Sequence, residues 1–124
     1  MPNLSNITTL RCNNNQLTSL PDTRNTELLD WSHNQLTSLP KLTNVEILCC
    51  ENNHLITLPE LPNVKDLNCS NNQLTILPEV PNIKCLYCEN NKLTFLPNLP
   101  RILCLNCYNN KLIENCHIYL TSKH

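Results

Sequence analysis

Residues 64–82 read VKDLNCSNNQLTILPEVPN, and the chain is written in copies of this nineteen-residue sentence. Leu10, Leu29, Leu48, Leu67, Leu86 and Leu105 stand 19 residues apart. So do Asn15, Asn34, Asn53, Asn72, Asn91 and Asn110, and so do Leu17, Leu36, Leu55, Leu74, Leu93 and Leu112. No insertion or deletion breaks the period from Ile7 to Leu112. A fixed period of this length marks a stacked architecture, in which a single copy cannot bury its apolar face and adjacent copies bury it for one another.

Each copy has two halves. In the first, Val64, Leu67, Cys69, Asn72 and Leu74 follow the pattern I/V-x-x-L-x-C-x-x-N-x-L. Its fourth and sixth positions are apolar and the fifth is not, which is the two-residue alternation of a strand. The second half carries Leu-Pro-x-Leu-Pro-Asn, as at Leu58–Asn63. Prolines three apart remove backbone donors and clash with a helical path, so this half is extended. One copy is therefore a short strand, a turn and an extended return. Copies stacked at about 4.8 Å form a parallel sheet along one side of a coil. In the copy quoted above, Val64, Leu67, Cys69, Leu74, Leu77 and Val80 point inward.

The asparagine column has its own physical reason. Where the chain turns after the strand, backbone N–H and C=O groups would be buried without partners. A primary amide supplies two donors and an acceptor, so inward Asn15, Asn34, Asn53, Asn72, Asn91 and Asn110 can bond the turns above and below as a ladder. The chain has no glycine at all. That excludes Gly-rich phosphate loops, and it assigns any backbone position at positive φ to asparagine, the next most tolerant residue.

The formal net charge of −1 gives no electrostatic basis for nucleic acid or an anionic membrane as partner. No apolar run reaches the ~18–20 residues that span a bilayer. The first residues, MPNLSNITTLRC, lack the basic and apolar segments of a secretory signal, which points to an intracellular, cytoplasmic protein with reduced cysteines. Those cysteines number nine. In CLYCENNKLTFLPNLPRILCLNC, residues 85–107, they mimic the C-x2-C…C-x2-C spacing of a zinc site. The nineteen-residue period explains them better. Cys88 and Cys107 belong to the inward sixth column with Cys12, Cys50 and Cys69, and Trp31 fills the remaining place. Cys85 and Cys104 belong to the outward third column, so the four sulfurs lie on opposite faces and cannot converge on one ion. The expectation is five buried thiols, an exposed Cys85–Cys104 pair and a third exposed thiol at Cys49, with no metal or cofactor. As a pair, Cys85 and Cys104 could react, oxidise or take a soft metal.

The motif L-x-x-L-x-C-x-x-N-x-L resembles the leucine-rich repeat signature, and six copies cover nearly the whole chain. The Leu-Pro-x-Leu-Pro half is similar to the short repeats of bacterial effectors of the YopM and IpaH kind, which are typically twenty or more residues long. The Asn- and Cys-rich style is similar to that of leucine-rich repeat proteins of giant DNA viruses. This resemblance implies a solenoid with its parallel sheet on the concave face, an extended convex side and little or no helix. It also implies a non-enzymatic module that binds another protein through the concave face. The repeats divide as a leading part-repeat over 1–6, copies at 7–25, 26–44, 45–63, 64–82 and 83–101, and a last copy with a short cover over 102–124, all one domain. Ile118 and Leu120 are candidates to cover the last coil; bare ends would otherwise favour end-to-end self-association or a longer array.

On the concave face the third column reads Thr9, Leu28, Ile47, Asp66, Cys85, Cys104. The fifth reads Arg11, Asp30, Cys49, Asn68, Tyr87, Asn106, and the seventh Asn13, Ser32, Glu51, Ser70, Glu89, Tyr108. Two features stand out as a partner-binding surface: Leu28 beside Ile47, edged by Asp30 and Glu51, and Tyr87 with Tyr108 near the Cys85–Cys104 pair, with Asp66 between them. No catalytic residues are expected. His33 and His54 fall in exposed turn columns, no Ser-His-Asp or Cys-His set can be assembled, and the acids read as spread along a solvated face.

Overall fold

The computed structural model describes residues 8–19, 23 and 25–113. The leading part-repeat and the terminal cover with Ile118 and Leu120 lie outside the described residues. Within them the chain forms six three-residue strands, one per repeat. These are β1 (Thr9–Arg11), β2 (Leu28–Asp30), β3 (Ile47–Cys49), β4 (Asp66–Asn68), β5 (Cys85–Tyr87) and β6 (Cys104–Asn106). They form one parallel sheet in sequential order β1-β2-β3-β4-β5-β6. The register is the sequence period itself: Leu29 lies opposite Leu48, Leu48 opposite Leu67 and Leu67 opposite Leu86. Among the described residues there is no helix.

The strands are short because only the middle residue of each turns inward. β2 and β4 show half-buried flanks around a buried leucine. All six inward positions of the 64–82 copy are buried, as the alternation requires: Val64, Leu67, Cys69, Leu74, Leu77 and Val80. Trp31, in the cysteine column, is fully buried as well. One continuous core therefore runs up the axis of the coil. Burying a large aliphatic side chain contributes about 1.5–3 kcal/mol, and each coil repeats that contribution.

Backbone hydrogen bonds knit the coils in two directions. After each strand, the N–H groups of Trp31, Cys50, Cys69 and Cys88 donate to the carbonyls of Cys49, Asn68, Tyr87 and Asn106 in the following coil. Past the turn the direction reverses: Gln35, His54, Gln73 and Lys92 donate to Leu17, Leu36, Leu55 and Leu74 in the preceding coil. Between the two stands a residue in the left-handed region in every repeat: Asn14, His33, Asn52, Asn71, Asn90 and Asn109, with φ between 56° and 60°. The glycine-free chain thus uses asparagine five times and histidine once where other chains would use glycine.

The next asparagine carries the ladder. In Asn72, Nδ2 donates to the carbonyls of Cys69 and Ser70 in its own turn, at 3.1 and 3.2 Å, and to that of Cys50 one coil earlier, at 3.1 Å. Its Oδ1 accepts from the Leu55 N–H at 3.0 Å. Asn34, Asn53 and Asn91 do the same, and Asn110 repeats the pattern half-buried. The expectation of bonds to turns above and below is corrected in one respect: each amide reaches its own coil and the preceding one only. Asn15 departs further: it is exposed, and among the described residues its side-chain amide donates within its own turn, to Cys12 and Asn13, while its backbone N–H donates to Asn34 Oδ1.

Candidate functional site

The outward face of the sheet is built from the residues flanking each inward leucine. On that face, Ile47, Cys49, Asp66, Asn68, Cys85 and Tyr87 surround an open depression of about 310 Å³. Three expected contact residues, Ile47, Asp66 and Tyr87, therefore share one site, and Ile47 and Tyr87 are exposed. Leu28 lies opposite Ile47 in the register, half-buried and outside the depression. Tyr108, more than half exposed, stands outside it toward the C-terminal end.

Polar side chains brace this surface laterally. The Ser32 hydroxyl donates to the Asp30 carboxylate at 2.6 Å, and Ser70 donates to Asn68 Oδ1 at 2.8 Å. Across strands, Asn68 Nδ2 donates to Glu51 at 3.2 Å and Asn106 Nδ2 to Glu89 at 2.7 Å. The acids are not simply spread out. Asp30, Cys49 and Glu51 place their polar atoms within 4.8 Å of one another. Spacing in the sequence hides this, because Asp30 and Cys49 are register partners and Glu51 follows two residues on. Burial pushes the Glu51 carboxyl up, with the charge of Asp30 adding to it. The Cys49 thiol is pushed up to about 11, first by burial and then by Glu51 and Asp30. Cys49 is half-buried, so the expected third exposed thiol is corrected: its side chain is partly covered among its strand neighbours.

The remaining cysteines divide by column. Cys50, Cys69 and Cys88 are buried free thiols, and Cys12, at the first described coil, is half-buried. Cys107 is buried but disulfide-bonded, which corrects the expectation of a free thiol there. A column position says which way a sulfur points, not whether another sulfur lies within bonding geometry. Cys85 and Cys104 face each other across β5 and β6 with their sulfurs 2.8 Å apart; Cys104 is exposed as expected, but Cys85 is half-buried, which corrects the expectation of a fully exposed pair. His33 and His54 are both exposed.

A second asparagine column appeared in the sequence only as the last letter of the Leu-Pro-x-Leu-Pro-Asn half, with no role assigned. Asn25, Asn44, Asn63 and Asn82, each the last residue of its nineteen-residue copy, line a polar depression of about 450 Å³ with Glu27, Glu46 and Lys65. Asn63 and Asn82 each donate to the preceding coil, at the carbonyls of Thr43 and Pro62. The available signal was their nineteen-residue spacing beside the prolines. Lys65 and Glu46 pair nearby at 2.9 Å, an exposed contact that contributes little stability. No helix among the described residues is long and apolar enough to cross a membrane.

A parallel sheet in nineteen-residue register, an inward asparagine ladder and a braced outward face define a leucine-rich repeat protein, a class whose stacked coils serve in general as protein-interaction scaffolds. The chain is similar in structure to YopM from Yersinia enterocolitica WA-314, with a TM-score of 0.79 and 38% sequence identity over 85% of this chain. That match covers 25% of the YopM chain, so the present chain spans about a quarter of its length. No protein-family profile matches the sequence, and no curated protein matches it.

Proposed function

We propose that the protein binds another protein through the outward, concave face of its sheet, with the depression between Ile47 and Tyr87 as the anchor point. The observation that carries this reading is the combination in that depression of two exposed apolar side chains with a carboxylate, Asp66, on a braced scaffold. Buried aromatic anchors dominate binding energy in many interfaces, and a shaped apolar recess is where a partner's anchor gains most. The third, fifth and seventh columns hold four carboxylates, Asp30, Glu51, Asp66 and Glu89, against one cation, Arg11. The fitting partner therefore presents basic side chains around an apolar residue, so that charge steers the encounter and apolar burial holds the complex.

Proximity labelling in the native cell tests this reading. Wild type is compared with Ile47→Asp/Tyr87→Ala on the sheet face and with Ile56→Asp/Ile76→Asp, exposed positions away from it. The expected result is loss of specific neighbours from the first variant alone, with unchanged circular dichroism in both. Identical neighbour sets in all three proteins would overturn it.

A further inference from the structure

The Cys85 and Cys104 sulfurs lie 2.8 Å apart, nearer than ordinary nonbonded contact, which is about 3.5–4.0 Å even between carbons. The two residues are register partners on adjacent parallel strands. Neighbouring strands lie about 4.7–4.9 Å apart, inside the roughly 4.4–6.8 Å Cα separation that a disulfide accepts. Both side chains leave the sheet on the same outward face, so the Cβ vectors do not diverge. Cys104 is exposed and Cys85 half-buried, which gives an oxidant access to one sulfur while the other waits beside it. The spacing also discriminates between ligand chemistries. Two thiolates on one tetrahedral zinc ion, at about 2.3 Å from the metal, would stand roughly 3.7 Å apart, which is wider than the pair observed. Among the described cysteines Cys49 does not join them: its register partners are Asp30 and Asn68.

We propose that Cys85 and Cys104 form a reversible modification site, closing to a cross-strand disulfide with a small-molecule disulfide as oxidant. The Cys104 thiolate attacks one sulfur of the oxidant, forming a mixed disulfide and releasing one small thiol. Cys85 then attacks the Cys104 sulfur, forms the Cys85–Cys104 bond and expels the second small thiol. Two electrons pass from the protein thiols to the oxidant, and the two protein protons leave on its two thiol products. An excess of small thiol runs the exchange backwards. The bond joins β5 to β6 at the rim of the depression beside Tyr87, and its formation does not depend on whether that face takes a partner.

Tryptic mapping tests this directly on the full chain. Cleavage after Lys84, Lys92, Arg101 and Lys111 places Cys85 on peptide 85–92 and Cys104 on peptide 102–111. The folded protein is equilibrated with oxidised glutathione, alkylated, digested without reductant and weighed by mass spectrometry. The expected result is a species joining 85–92 to 102–111, with 102–111 also carrying whatever peptide the Cys107 disulfide holds; it is present in wild type and Cys49→Ser, absent from Cys85→Ser and Cys104→Ser, and removed by reduced glutathione. The same oxidation should raise the melting temperature of wild type by several degrees and leave that of Cys104→Ser unchanged. Wild type that stays unlinked in oxidised glutathione would overturn the proposal, as would a joined species that persists in either single-serine variant at this pair.

Discussion

The side-chain amide of Asn72 donates to the backbone carbonyl of Cys50, one full coil earlier, at 3.1 Å. With it go the bonds to Cys69 and Ser70 and the acceptance from Leu55, all by a side chain that is 9% exposed. One amide thus replaces the partners that a turn would otherwise find in water.

Replacing Asn72 by leucine keeps the volume and removes every one of these bonds. A buried polar group left unpaired costs about 1–3 kcal/mol, so Asn72→Leu should destabilise by at least about 2 kcal/mol. Asn15→Leu, at the exposed rung, should cost well under half as much. Urea denaturation with unchanged m-values checks both, and equal midpoints would contradict the ladder's role.

The neighbouring asparagine acts through its backbone. Asn71 sits at φ 56°, where a Cβ-bearing residue with no polar compensation is disfavoured by about 1–2 kcal/mol. Asn71→Ala should therefore lower stability by about 1 kcal/mol and Asn71→Val by more, while Asn71→Gly should stay within a few tenths. The ordering Gly, Ala, Val in chemical-denaturation midpoints is the readout; a flat series would show that the turn does not constrain this residue.

The buried thiols make the fold sensitive to alkali. Burial pushes Cys88 from its ordinary 9.0 up to about 12, and pushes the fully buried Cys50 and Cys69 well up too. Below pH 9 each thiol is protonated in both states, so its full contribution to stability is present. Between pH 9 and about 12 the unfolded chain releases these protons and the folded chain keeps them, so stability falls as pH rises. The slope is about 1.4 kcal/mol per pH unit for each such thiol. Denaturation midpoints from pH 8 to 11 should show this decline. The triple variant Cys50→Ala/Cys69→Ala/Cys88→Ala should be less stable at pH 7 but flatter with pH, and an equally steep decline in it would assign the effect to other groups.

Much of this is legible in the sequence alone. Leu10 to Leu105 at constant spacing dictated the register, since only equal coil lengths align the leucines. The inward place of Asn72 followed from its lying in an invariant column. The outward neighbours were harder to read, because side chains that face solvent obey no column rule. Asp30, Cys49 and Glu51 converge through a register step plus a two-residue advance, and the acids looked dispersed along the sequence. Likewise Asn63 and Asn82, which bond preceding carbonyls, read only as the tail of a proline segment.

By itself the sequence determined the coil, the sheet order and the inward columns, and it pointed to asparagine at positive φ, which holds at five positions and fails at His33. Each follows from period, side-chain alternation and the absence of glycine, which are local properties repeated along the chain. Only the tertiary structure decided that Cys85 and Cys104 bring their sulfurs within 2.8 Å, that Cys49 is sheltered beside two acids, and that Ile47 and Tyr87 flank one depression. Those are distances between side chains on different coils, and they depend on rotamers and stacking that a nineteen-residue period leaves open.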